Sequence, residues 1–296
     1  MIVLDEPTWR ERADAHAERV DALVADHLAR RRDGVPHPVH DFLFSYYSYK
    51  PSQLRRWHPG YGVGLAGGAE YAERRGYEMV DGVARVSQTM LAERGDLIAG
   101  THALLVATAS RPANTGCFGM HEWAMVYRSE GTRHPHPLRL GHEGTDQVVE
   151  SHRITCSHFD AYRFFTPAAR DRNTLRPRSE DRPAFEQPGC LHAGMDLYKH
   201  AFRLSPLISS DLIADCFALA RDIRVLDMRA APYDLADLGF DPVPIETAAG
   251  KRTYAAAQAE FAERGAPLRT RLIEACDALL ACRPRAGVTV SSATPA

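Results

Sequence analysis

The stretch from Ser209 to Pro232 constrains the fold more than any other part of the chain. Leu212, Cys216, Leu219, Ile223 and Leu226 recur at three- and four-residue steps, which puts them on one stripe of an α-helix. Ser209 or Ser210 can cap its start, and Asp211 falls in the first turn, where a negative charge meets the positive end of the helix dipole. The helix is expected to run to about Arg229, with Pro232 just beyond its end. A stripe of this kind must be buried against other elements, so the chain needs a helical layer to receive it.

Other segments supply that layer. Pro7 to Arg32 reads as an amphipathic helix, with Pro7 in the first turn and Gly34 after the end. Cys190 to Arg203, Lys251 to Arg264 and Pro267 to Ala281 read as three more helices, and Ser87 to Ser110 as a pair broken near Gly95 and Gly100. Thr145 to His152 is a further short helix. A strand is expected near Tyr77 to Val80, and Arg153 to Phe159 alternates weakly. Gly60 to Gly68 reads as a glycine-rich loop, and Pro167 to Pro188 as a long polar loop with five arginines. The expectation is a mainly α fold with a few short strands, one globular domain over 1–282 and a disordered tail over 283–296.

Charge narrows the partners. The 36 Lys and Arg are offset by 38 Asp and Glu, so the chain lacks the bulk basicity of a dedicated nucleic-acid-binding domain. No apolar run is long enough to span a bilayer, and Met1 to Arg12 lacks the pattern of a secretory signal. The six cysteines are dispersed and form no disulfide framework. The expected setting is cytoplasmic, with no membrane partner.

Fourteen histidines stand out, many beside carboxylates: His37 and His40-Asp41, His121-Glu122, Glu150-Ser151-His152, His158-Phe159-Asp160, and Glu186 through His192 to Asp196. Imidazole titrates near neutral pH and a carboxylate can set its tautomer, so such pairs suit proton transfer. The same groups can bind iron, zinc or manganese. The candidate catalytic groups are His121, Glu122, His158 and Asp160, each set among aromatic residues, where burial shifts a carboxylate toward proton transfer. The candidate metal ligands are His158, Asp160, His192 and Asp196, and a divalent metal is the cofactor this chemistry admits. Cys156-x-His158 and Cys190-x-His192 also sketch a Cys₂His₂ zinc site, although the spacing is not that of a zinc finger.

Other patterns have plainer readings. Gly62-x-Gly64-x-x-Gly67 matches the dinucleotide fingerprint formally, but Arg55 to Pro59 is no apolar strand, so a turn is the better reading. Asp222, Arg224, Asp227 and Arg229 read as a solvated or salt-bridged helix face. Tyr46, Tyr47, Tyr49, Lys50, Arg55, Arg56 and Trp57 interleave aromatic and basic residues, a combination that can stack bases and neutralise phosphates; the plainer reading is a buried aromatic helix with a basic end.

Several long strings carry a resemblance: His37 to Phe44, Gln53 to Gly60, His121 to Tyr127, Cys156 to Asp160, Glu186 to His192 and Asp222 to Arg229. Over nearly its whole length the chain resembles a group of actinobacterial proteins commonly labelled 3-methyladenine DNA glycosylase. The resemblance implies hydrolysis of the N-glycosidic bond of an alkylated purine, with DNA as partner. Such an enzyme needs an aromatic pocket for a flipped base and a carboxylate to activate water or steady the cationic sugar. Under this resemblance Trp57, Trp123, Tyr127 or Phe164 would stack the base, with Arg55 and Arg56 beside Trp57 in sequence, and Glu122 or Asp160 would be the carboxylate. The label brings no matched catalytic motif, so no catalytic residue is carried across from the family. The alternative expectation, from the residues alone, is a metal-dependent enzyme acting on a small molecule.

Overall fold

The computed structural model describes residues 1–132 and 134–283. The expected tail therefore lies, from 284 on, outside the described residues. The fold is mainly helical, with one small sheet.

The chain opens with strand β1 (Ile2–Leu4) and helix α1 (Glu6–Arg32). Asp5 caps α1 by accepting from the Thr8 amide at 3.0 Å. The aromatic stretch that follows forms two short helices, α2 (Phe42–Ser45) and α3 (Pro51–Leu54). Strands β2 (Val63–Ala66), β3 (Tyr77–Val80) and β4 (Val83–Val86) complete a four-stranded sheet in the order β1-β2-β4-β3. β1 runs parallel to β2, and the other pairs are antiparallel. Asp81 and Gly82 both take positive φ between β3 and β4, as a tight two-residue hairpin requires. The Trp9 indole donates to the Ala66 carbonyl at 2.9 Å and ties α1 to the sheet.

Helices α4 (Gln88–Glu93) and α5 (Gly95–Ala109) follow, broken at Gly95, while Gly100 continues inside α5. Then come α6 (Met120–Ala124), α7 (Gly141–Ser151), α8 (Phe159–Tyr162), α9 (Pro167–Arg170) and α10 (Arg182–Phe185). Three long helices close the fold: α11 (Leu191–Arg203), α12 (Ser210–Arg229) and α13 (Ala248–Ala281). They pack on one another, and α13 also packs on α5. Ser209 caps α12, as its position suggests, and the expected stripe of Leu212, Cys216, Leu219, Ile223 and Leu226 is buried.

Four expectations are corrected. The glycine-rich stretch 60–68 contains β2, because Val63 and Leu65 pair with β1 while Gly62 and Gly67 supply the turns at either end. A strand through its middle also excludes the dinucleotide loop, which needs strand, loop and helix in sequence. Arg153 to Phe159 is no strand; it makes a single bridge from Ile154 to Asn173. The polar loop 167–188 holds two short helices, α9 and α10. The two expected C-terminal helices are one, with Pro267 inside it. A proline there forfeits a hydrogen bond and costs about 3 kcal/mol in an isolated helix. Burial against α5, α11 and α12 offsets that loss, and Gly265 faces Leu197 and Leu219 with no side chain to hold the helices apart.

Candidate metal centre

The site forms where α11 and α12 pack together and α6 closes over them. α11 carries His192, Asp196 and Lys199 at steps of four and three, on one face. α12 carries Arg224 and Asp227, both buried. These two continue a second buried stripe, Ile213, Phe217 and Ala220, at helical spacing. α6 brings His121 and Glu122. Phe118 and Gly119 precede it with φ of 46° and 68°, and two successive left-handed residues turn the chain sharply into the core. His158 stands at the N-cap of α8, and Glu186 follows the last turn of α10.

Two groups of metal-ligating side chains result among the described residues: His121, His192 and Asp227, and His158, Glu186 and Asp196. Within each group the donor atoms lie within 4.8 Å of one another, and all six residues are buried. The His192 ring joins them, at 4.4 Å from the His121 ring and 5.3 Å from the His158 ring, centroid to centroid.

In the first group, His121 Nε2 lies 2.9 Å from Asp227 Oδ1. The two form a buried ion pair, and neither atom makes a hydrogen bond to any other group. The Arg224 guanidinium donates to Asp227 Oδ2 at 2.7 Å and to Glu122 Oε1 at 3.2 Å. Burial opposes charge on His121, but the Asp227 carboxylate outweighs it and raises the imidazole pKa. Asp227 is held below the usual carboxylate range, against burial, by His121, His192 and Arg224. His192 is different: burial and the nearby His121 push its pKa well down, leaving the neutral imidazole that a metal ligand must be.

In the second group, His158 Nε2 faces Asp196 Oδ2 at 3.3 Å and Glu186 Oε1 at 3.6 Å. Arg182 reaches the same two oxygens, at 2.5 Å to Glu186 and 2.9 Å to Asp196. Lys199 also pairs with Asp196, and with Asp160 at 3.1 Å, while the Tyr47 hydroxyl donates to Asp196 Oδ1 at 3.1 Å. Asp196 stays well below its ordinary pKa against burial, chiefly because of Lys199 and His158.

A pocket of about 130 Å³ opens over this centre. Its aromatic walls are Phe42, Tyr46 and Phe164, and Glu122, Asp160, His192 and Arg224 provide its polar lining. Phe42 and Tyr46 stack at 4.9 Å. On the other side of His192 lies a cavity of about 20 Å³, lined among others by His121, His158, Cys117, Cys156 and Cys190.

The sequence-derived candidates separate accordingly. His121, Glu122, His158, Asp160, His192 and Asp196 all come together here. Asp160 sits at the pocket wall, paired with Lys199 and with Arg163 at 3.4 Å, outside both donor groups. Cys156 and Cys190 line the small cavity, but burial pushes the Cys156 thiol up to about 12 and Cys190 well above its usual value. No thiol joins either donor group among the described residues, which corrects the Cys₂His₂ sketch. Trp57, Trp123 and Tyr127 are sealed in the core instead of lining the pocket, and the Trp123 indole donates to the Ala230 carbonyl at 2.8 Å. Arg55 is exposed and bound to Asp21, and neither it nor Arg56 lines the pocket. Of the six residues of the two donor groups, Asp227 is not among the sequence candidates and Glu186 enters only as the edge of one His/carboxylate cluster; their cationic partners Arg224, Arg182 and Lys199 are not among the candidates either. Of the solvated or salt-bridged face expected over 222–229, the salt bridges are present, Arg224 to Asp227 at 2.7 Å and Arg264 to Asp222 at 2.5 Å, but Arg224 and Asp227 are buried beneath α6 and not solvated.

No protein-family model, curated protein or solved structure matches the chain.

Proposed function

We propose that the protein is a metal-dependent enzyme acting on a small molecule, with a divalent ion (iron, zinc or manganese) held by His121, His192 and Asp227. One observation carries the reading. His121 Nε2 and Asp227 Oδ1 lie 2.9 Å apart as a buried pair, and His192 brings a third donor atom within 4.8 Å of both. Two donors bound at right angles to one ion, each at about 2.0–2.1 Å, lie about 3 Å apart. The donor set of two imidazoles and one carboxylate leaves coordination positions open, as both non-haem iron and catalytic zinc chemistry require.

His192 lines the aromatic pocket, so a ligand held there is next to the ion. Phe42, Tyr46 and Phe164 favour a small, flat or apolar ligand. Glu122 faces the same space, steadied by Arg224, and is placed to accept a proton from bound water or substrate. The test is elemental analysis of protein purified without a metal-binding tag, before and after reconstitution. Near-stoichiometric metal is expected, lost in Asp227→Asn and His192→Ala. Protein that takes up no metal in any condition sinks the reading.

A second reading, release of alkylated purines from DNA, is favoured by the meeting of three aromatic rings with Glu122 and Asp160 in one pocket. Its check is release of methylated base from alkylated DNA, abolished in Asp160→Asn. A folded protein that releases none discards it.

A further inference from the structure

The second group of ligating side chains has no task in this reading, although it is as deeply buried as the first. We infer that His158, Glu186 and Asp196 form a second divalent-cation site, weaker than the first and in competition with Arg182. The inference rests on the first site being a metal site.

His158 Nε2, Glu186 Oε1 and Asp196 Oδ2 come from three separate segments and converge. An imidazole with two carboxylates is a hard-to-borderline donor set suited to manganese, iron or zinc. The spacings of 3.3 and 3.6 Å are close to the roughly 3 Å between neighbouring ligands of one ion. The His192 ring separates this group from the first, so the two sites share a wall.

What differs is the local cation count. In the first group a single guanidinium, Arg224, serves Glu122 and Asp227. In the second, Arg182 bridges Glu186 and Asp196, and Lys199 adds a second positive charge at Asp196. The guanidinium holds the same two oxygens an ion would take. A metal must displace it, which lowers affinity relative to the first site. Arg182 starts the one-turn helix α10, and 18% of its side chain remains exposed, so it has a route outward.

The experiment is equilibrium dialysis of the metal-free full chain across a range of Mn²⁺, with bound metal counted per chain. Two ions are expected in wild type, taken up in two steps. Arg182→Met moves the second step to at least tenfold lower Mn²⁺. Glu186→Gln keeps the first step and removes the second. One ion in both wild type and Arg182→Met overturns the inference and leaves the first site standing. No ion in any protein overturns both. A second step that Glu186→Gln leaves unchanged places the ion elsewhere and also overturns it. If Arg182→Met does not fold, the wild-type count and Glu186→Gln decide.

Discussion

Arg224 shows how much one buried side chain can carry. Its guanidinium serves both Glu122 and Asp227, and its Cζ lies 4.0 Å from the Phe42 ring centre. Arg224→Met leaves two buried carboxylates without their cation, and breaking such a network by removing one partner costs about 3–5 kcal/mol. Urea denaturation of metal-free protein reads this directly, and a loss below about 1 kcal/mol would mean that water reaches the pair. The exposed Arg55–Asp21 pair is the internal contrast: Arg55→Ala should cost less than about 1 kcal/mol. Sequence made His121, Glu122, His158, His192 and Asp196 legible because histidine beside carboxylate is an uncommon local pattern. Arg224 and Asp227 were hidden by their neighbours Asp222 and Arg229, which make the helix end look like a solvated face. The signal that separates them is register: 213, 217, 220, 224 and 227 form one line, and only two of its members are charged.

At the scale of the element, α6 and α13 are informative. α6 has only five residues and cannot hold itself, so its entry turn decides where His121 points. Gly119 has φ of 68°, and a Cβ there would meet the Tyr254 ring at 3.4 Å. Gly119→Ala is expected to cost about 1–2 kcal/mol in backbone strain. It should also weaken metal retention while leaving α11 and α12 in place. Full metal content in a destabilised Gly119→Ala would separate the turn from the site. α13 keeps Pro267 in its interior. Pro267→Ala restores the missing amide and should stabilise the fold by about 1–3 kcal/mol, seen as a higher Tm. An unchanged or lower Tm would show that the ring itself packs in a way alanine cannot replace.

For the whole molecule, the joint between sheet and helices contributes to the acid limb of stability, alongside His37 and His200, whose pKa values burial also lowers, to about 4 and about 3. His58 is buried at that joint. Its backbone amide donates to Ser210 Oγ at 2.9 Å, and its Nδ1 meets the Tyr77 hydroxyl at 3.0 Å. Burial, reinforced by Arg74 and Arg56, pushes its pKa down to about 3 from 6.5. Below pH 6.5 the unfolded chain takes up a proton that the folded chain refuses until about pH 3. Stability from this residue is therefore full above 6.5 and falls by about 1.4 kcal/mol per pH unit between those values. His58→Gln should flatten that limb in denaturation curves at pH 7, 6 and 5; an unchanged slope would refute the assignment. Metal removal acts on the same scale. If the proposed ion is bound at 100 times its Kd, stripping it should lower stability by about 2.7 kcal/mol and lower Tm accordingly. An identical Tm with and without metal would show that the site holds none.

Helices α1, α11 and α12 are legible from sequence because apolar periodicity, and for α1 and α12 the boundary residues Pro7, Gly34 and Ser209, lie within one or two turns of the chain. All three histidines of the two donor groups, His121, His158 and His192, stand out there as well, by lying near carboxylates. The sequence did not reveal β2, whose pairing with residues 2–4 spans some sixty positions, nor the continuity of α13 through Pro267, which depends on what packs along it. The site has no such local record and arises from long-range packing. Whether a charge is solvated or buried depends on which element covers it, and α6 covers Arg224 and Asp227 from about a hundred residues away. Bringing residues 121, 158, 186, 192, 196 and 227 within reach of each other is a long-range packing outcome, and no local pattern records it.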